Sequence, residues 1–176
     1  MNVAAIQMVS GQSLTQNLRA AGELLAQAAE QGAELAVLPE YFCLLGQKDS
    51  DKLQAQEAPG SGPVQDFLAE AARFHGLWIV GGTLPLSTAD PGRVRNACLV
   101  HDPAGRCVAR YDKIHLFRFS NGNERYDESR TLEPGTEAVS FELPSADGHR
   151  WRVGLSVCYD LRFPELYRQL QADLLL

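Results

Sequence analysis

Fold and chemistry both turn on one stretch: Arg150-Trp151-Arg152-Val153-Gly154-Leu155-Ser156-Val157-Cys158-Tyr159-Asp160-Leu161-Arg162-Phe163-Pro164-Glu165. Arg150 to Val157 ends in an apolar run and reads as a strand. Pro164 opens a helix expected to reach Leu170, because proline suits a first turn, where its missing N–H is no loss. Cys158 therefore sits just past the carboxyl end of a strand and shortly before a helix. In open α/β sheets that edge is where ligands bind and reactive groups gather.

Two other reactive residues hold the same kind of position. Glu40 follows the short buried strand Glu34 to Leu38, which Pro39 ends. Lys113 follows the strand Cys107-Val108-Ala109-Arg110-Tyr111-Asp112. Strand ends lying side by side bring such residues together across long separations in sequence.

The rest of the chain alternates strand and helix signals. Asn2 to Met8 is an apolar strand. Leu14, Leu18, Ala21, Leu25 and Ala28 recur at helical spacing and predict an amphipathic helix over Ser13 to Gln31, with Ser13 as N-cap and Gly32 behind its end. Ser50 to Pro63 reads as loop. Val64, Phe67, Leu68, Ala71 and Phe74 mark a second helix closed by His75-Gly76, and Leu77 to Leu84 the next strand. Gly81-Gly82 lacks the spacing of a phosphate loop and reads as a point of close packing. Hairpins are expected from Arg95–His101 with Arg106–Tyr111, and from Ala138–Leu143 with Arg150–Val157. Ile114 to Pro134 reads as a long loop, a kind that in compact domains is functional or disordered. Asp173-Leu174-Leu175-Leu176 is either an edge strand or the start of a buried strand in a longer domain; the second is the expectation.

The 176 residues make room for one domain. A hydrophobic fraction of 45% and a charged fraction of 22% exclude disordered, collagen-like and coiled-coil chains. Lys plus Arg is 16 against 22 Asp plus Glu, a net charge of −6. An acidic chain without a basic run excludes nucleic acid and anionic membrane as partners. No apolar stretch approaches the ~18 residues of a membrane span, and the N-terminus lacks the pattern of a secretory signal. Cys43, Cys98, Cys107 and Cys158 form no zinc or disulfide spacing. Reduced thiols in a cytoplasm are expected, with no metal and no cofactor.

Glu, Lys and Cys share a specific chemistry. A thiol is a strong nucleophile only as thiolate, and its free pKa is about 8.5. A nearby carboxylate can take the proton. An ammonium stabilises the thiolate and then the oxyanion of a tetrahedral intermediate. The set suits acyl transfer from an amide or nitrile without a histidine. By type alone, a cysteine such as Cys158 is more often a small buried hydrophobe than a nucleophile, Glu40 is more often a solvated turn residue, and Lys113 could be a surface charge with a buried stem.

Local sequence favours the first reading. Leu38-Pro39-Glu40-Tyr41-Phe42, Tyr111-Asp112-Lys113-Ile114-His115-Leu116-Phe117 and Gly154 to Glu165 resemble the nitrilase superfamily, the carbon–nitrogen hydrolases, in that order. Ala5-Ile6-Gln7 and Glu128-Ser129-Arg130-Thr131-Leu132-Glu133-Pro134-Gly135 are also similar, so the resemblance covers essentially the whole chain. It implies an α/β fold of the α-β-β-α sandwich type, incomplete at the C-terminus because the family's domain continues past the position of Leu176. Residues 1–176 would be the N-terminal portion of one hydrolase domain. It implies Glu40 as general base, Lys113 as stabilising cation and Cys158 as nucleophile. Glu128 matches a further glutamate that orients the lysine or assists the base, and the Tyr159 N–H would complete an oxyanion hole.

Cys158 to Glu165 is similar to the branch with omega-amidases and deaminated glutathione amidases. That implies hydrolysis of small carboxylate-bearing amides through a Cys thioester, with water as co-substrate and ammonia released. Nitrile or N-carbamoyl hydrolysis, or an inactive fragment lacking part of the pocket, are the alternatives. The resemblance also implies a homo-oligomer paired through helices that include the one from Pro164, where Leu166, Tyr167 and Leu170 make an apolar stripe that faces either a partner or the chain's own sheet. Arg162 either holds a substrate carboxylate bidentately or pairs with Glu165. His115 is expected to be packed and hydrogen-bonded. Cys98, Cys107, Tyr111, Phe117 and Phe119 are expected in the core.

Overall fold

The computed structural model describes residues 1–176. In chain order the elements are β1 (Val3–Ala5), α1 (Leu14–Glu30), β2 (Leu35–Val37), α2 (Asp51–Gln54), α3 (Pro63–His75), β3 (Trp78–Val80), β4 (Leu84–Ser87), β5 (Val94–His101) and β6 (Cys107–Asp112). They continue with β7 (Arg118–Ser120), β8 (Arg125–Asp127), β9 (Ser140–Pro144), β10 (Arg150–Gly154), α4 (Pro164–Leu170) and β11 (Leu174–Leu175). Single turns of 3-10 helix occupy Glu128–Arg130 and Cys158–Arg162. No helix is long and apolar enough to cross a membrane.

The first sheet has the order β1-β2-β3-β5-β4, with β6 added on β5. Its β1, β2 and β3 run parallel, and β3, β4 and β6 pair antiparallel with β5. The second sheet is β11-β10-β9. Strand alternation decides the layers, since successive side chains leave opposite faces. Ala36, Ile79, Ala97 and Leu99 turn to α1 and α3, where they join Ala21, Leu25, Leu68 and Ala72. Leu35, Val80, Cys98, Val100 and Tyr111 turn the other way and meet Phe141, Leu143, Val153 and Leu155 of the second sheet. The central parallel strands β2 and β3, covered on both faces, read in sequence as unbroken apolar runs. Gly154 faces the outer side of the second sheet, where a Cβ would lie 3.0 Å from the Leu170 side chain of α4. Helix, sheet, sheet and helix thus follow in order, as the sandwich requires.

α1 begins as its sequence indicates, with the Ser13 hydroxyl accepting from the Gln16 N–H at 3.4 Å. Several expected elements are altered. The region Ser50–Pro63 holds α2 rather than loop alone. Leu77 to Leu84 is not one strand: Gly81-Gly82 break it into β3 and β4. The Ile114–Pro134 segment is not structureless. It contains the hairpin β7–β8, turned at Asn121-Gly122, where Gly122 has φ +89° and the Asn121 side chain accepts from the N–H groups of Asn123 and Glu124. Asn-Gly is a hairpin signal; the short, polar strands around it hid the pattern. Cys107 is exposed rather than in the core, as is Phe119, because each lies on a solvent-facing position of its strand. Leu166 and Leu170 are buried within the chain, so the stripe of α4 faces its own sheet.

Gly82 matters most for the site. Its φ is +52°, and an added Cβ would lie 2.1 Å from the Pro39 carbonyl oxygen, next to Glu40. Gly32 also has positive φ, at +77°, with nothing near. A residue forced into such a conformation costs about 1–3 kcal/mol, and Gly82→Ala adds a backbone clash to it. Gly82→Ala is expected to lower Tm clearly more than Gly32→Ala in parallel thermal melts.

Candidate active site

Four sequence-distant residues meet at the carboxyl edge of the two sheets. β2 delivers Glu40, β6 delivers Lys113 and the strand through β10 delivers Cys158. The Lys113 Nζ is fully buried and donates to Glu40 Oε1 and to Glu128 Oε1, each at 3.1 Å. Glu128 follows β8 in a 3-10 turn, and its other oxygen accepts from the Phe117 N–H at 2.7 Å. The Glu128 N–H donates in turn to the Phe117 carbonyl at 3.0 Å. Glu40 lies partly open to solvent, and its Oε1 also accepts from Asn96 Nδ2 at 2.8 Å. Glu40 and Cys158 line one pocket of about 170 Å³ between the sheets, floored by Val37, Val80 and Leu155. A larger hollow, about 540 Å³ along β1 and α1, has no ionisable side chain in its wall.

Cys158 stands at the start of a tight turn, with φ +50°. A non-glycine residue there is strained, and such strain persists only where surroundings over-determine it. Asp160 supplies the restraint. It is fully buried and accepts from the Tyr111 hydroxyl at 2.6 Å, the Val157 N–H at 2.9 Å and the His115 N–H at 3.0 Å. His115 Nδ1 lies 2.6 Å from the same carboxylate, and its ring stacks on Phe163 with centroids 3.6 Å apart. His115 is thus packed and hydrogen-bonded, as expected. The Tyr159 N–H donates to no backbone acceptor in the chain.

Arg162 is not joined to this cluster. It is exposed and makes no ion pair; Glu165 pairs instead with Arg168 at 3.7 Å, the i,i+3 position on α4. An internal Arg162–Glu165 pair is therefore excluded. Asn96 and Asp160 are the residues that sequence reasoning missed as parts of the site. Asn96 is the polar exception on one face of β5, buried on the side that Val94, Cys98 and Val100 share.

Electrostatics set the resting state. Burial pushes the Lys113 ammonium downward, but the charges of Glu40 and Glu128 outweigh it and hold it above its ordinary value. Burial pushes the Cys158 thiol up, Glu40 adds to this, and Lys113 opposes it. At rest the cluster holds a protonated thiol, a carboxylate beside it and a fixed ammonium. Cys43 is buried and its thiol is pushed up to about 12, and the buried Cys98 likewise to about 12. Cys158 is therefore the solvent-reachable thiol of the site.

Two face-to-face sheets with a carboxylate–ammonium–thiol cluster at their shared edge define an α/β protein of the nitrilase fold. The chain belongs to the carbon–nitrogen hydrolase family, whose model matches residues 2–174. It is 36% identical over 175 residues to a deaminated glutathione amidase of Yersinia enterocolitica, covering 98% of this chain and 59% of that protein. It is 36% identical over 166 residues to an omega-amidase of Homo sapiens, covering 93% of this chain and 56% of that protein. The amidase of Nesterenkonia sp. AN1, solved with acrylamide added to its active-site cysteine, superimposes with a TM-score of 0.76 at 27% identity, over 96% of this chain and 61% of that one. The chain thus spans between 56% and 61% of the length of these relatives.

The charges around the thiol give a signed expectation. Glu40 disfavours the thiolate and Lys113 favours it. Alkylation of Cys158 by iodoacetamide, followed by peptide mass spectrometry against pH, should shift to lower pH in Glu40→Gln and to higher pH in Lys113→Met. Shifts of the opposite sign would contradict these electrostatics.

Proposed function

We propose that the full-length protein is a cysteine-dependent amidase that hydrolyses small carboxylate-bearing amides and releases ammonia. The observation that carries this reading is the Lys113 ammonium fixed 3.1 Å from Glu40, on the edge where the strained turn presents Cys158. Glu40 takes the thiol proton as sulfur attacks the amide carbonyl. The oxyanion forms against the Tyr159 N–H and the Lys113 ammonium. Glu40 returns the proton to the leaving nitrogen, ammonia departs, and a thioester remains. Glu40 then draws a proton from water, which attacks the thioester; the carboxylic acid leaves and the thiol is restored. Glu128 keeps Lys113 aimed while Glu40 changes charge, since one carboxylate always remains on the ammonium. The omega-amidase and deaminated glutathione amidase relatives support the amide as substrate class.

Ammonia release from α-ketoglutaramate and from matched nitriles and N-carbamoyl compounds tests the reading. Cys158→Ala should abolish turnover with the fold intact. Glu40→Gln should cost ~10²–10⁴-fold and Lys113→Ala ~10²–10³-fold. Near-full rates in any of the three would remove the assigned roles, and preference for a nitrile would move the substrate class.

The same reading includes three wider points. Residues 1–176 form the N-terminal portion of one hydrolase domain, supported by the greater length of the relatives. A cytoplasmic setting suits four unpaired thiols, one of them the nucleophile. The protein works as a homo-oligomer. Leu161, in the turn that carries Cys158, is 71% exposed and offers an apolar contact for a two-fold neighbour. Light scattering on the full-length protein should show at least a dimer, and Leu161→Arg should weaken it; a fully active monomer would refute the point.

A further inference from the structure

A second cleft, of about 290 Å³, opens beside the cluster, between the segment Tyr41–Lys52 and the hairpin β7–β8. Its wall carries three cations, Lys48, Lys52 and Arg125, with Tyr41, Tyr126 and one carboxylate, Asp49. The cations are only loosely held by the chain. Lys52 Nζ lies 3.8 Å from Asp49, Arg125 lies 3.7 Å from Asp127, and Lys48 has no acidic partner. Lys52 sits 5.4 Å over the Tyr41 ring, which keeps its ammonium at the cleft. The segment is a built one: Asp51 accepts from the N–H groups of Gln47 and Lys48 at 2.8 and 3.0 Å.

Tyr41 ties the cleft to the reacting groups. It follows Glu40 directly and is strained, with φ +55° and its N–H bound to Thr83 Oγ1 at 2.8 Å. Its hydroxyl is buried and has no hydrogen-bond partner. A buried unsatisfied donor costs about 1–3 kcal/mol, so a group that satisfies it gains by entering. From the other side, Tyr126 packs on Phe117 at 6.0 Å and Phe117 on Tyr159 at 5.2 Å, so the wall runs unbroken to the residue after Cys158.

We propose that this cleft is an anion subsite that binds a carboxylate carried by the substrate at the end remote from the scissile amide. Lys52 and Arg125 supply the charge and the Tyr41 hydroxyl a hydrogen bond. The inference rests on the amidase reading and deepens it, because it locates the selectivity for acidic amides here and not at Arg162. It also assigns the hairpin β7–β8 a role, since Arg125 is the part of it that reaches the substrate.

The test uses the full-length protein and two substrate series of matched length: the monoamides of dicarboxylic acids from succinamate to suberamate, and the uncharged monoamides. Lys52→Met and Arg125→Gln should each lower the charged-over-uncharged ratio of kcat/KM about tenfold, the value of one charge-assisted contact near 1.4 kcal/mol. Lys52→Glu should shift preference toward amine-terminated amides. An equal loss on both series, or a loss of selectivity in Arg162→Gln but not in Lys52→Met, would overturn the proposal. Glutarate and suberate titrated into Cys158→Ala by calorimetry read the subsite without turnover. Weaker dicarboxylate binding on adding Lys52→Met supports it even where no amide is hydrolysed, a result that would sink the amidase reading alone. Unchanged binding sinks the subsite and leaves the amidase reading in place.

Discussion

The buried ammonium of Lys113 sets the terms for the rest of the site. Removing a lysine from water costs several kcal/mol unless opposite charges and hydrogen bonds meet it. Glu40 and Glu128 meet it, each at 3.1 Å, and they arrive from opposite directions. Glu40 comes from the end of β2, which requires parallel pairing of β1, β2 and β3 to fix the strand ends at one level. Glu128 comes from a segment that must leave Lys113, run outward and return. The hairpin β7–β8 is that excursion, and the paired hydrogen bonds between Phe117 and Glu128 close it. A segment that would otherwise be free to wander is thus ordered by a charge it helps to neutralise.

Asp160 does for Cys158 what the two glutamates do for the lysine. It lies in the turn of Cys158 but reaches Tyr111 of β6 and the backbone at His115. It thereby bolts the second sheet to the first within a few residues of both Cys158 and Lys113. Without such a tie, sheet-to-sheet packing between Val80, Cys98, Phe141 and Val153 would fix the spacing of the layers but not the angle of the turn. Apolar contacts are non-directional; a carboxylate with several donors is not. Position along the edge comes from strands, and orientation comes from Asp160.

How far the sequence reveals this depends on which physical signal each residue carries. Glu40, Lys113 and Cys158 are legible because each directly follows a segment that reads as a strand. Glu128 has no such frame and is marked only by family resemblance; its signal is a contact across the hairpin, which periodicity does not record. Asn96 carries no such signal, because a polar side chain within a strand usually faces solvent, whereas here it faces Glu40. The division of Leu77–Leu84 was also out of reach, since the break serves Pro39, a residue far away in sequence that only the folded sheet brings against Gly82. The hairpin at Asn121-Gly122 was different: its turn signal was present and was outweighed by the polarity of the strands around it.

Two carboxylates around one ammonium leave the cluster with a net negative charge, and this shapes the order of chemical events. Burial, and then the charge of Glu40, hold the thiol above its ordinary value, so a thiolate added to that set at rest is disfavoured. In the proposed reaction the proton therefore passes from sulfur to Glu40 in a single step, so that the charge moves and does not accumulate. In that reaction Lys113 then faces one carboxylate, Glu128, and one new anion, the charge that passes from the attacking sulfur to the oxyanion. The ammonium never changes its number of negative neighbours; it exchanges one for another. A single carboxylate in place of the pair would leave a buried lysine unmatched at that moment. The second glutamate is therefore required by the same buried charge that the first one serves.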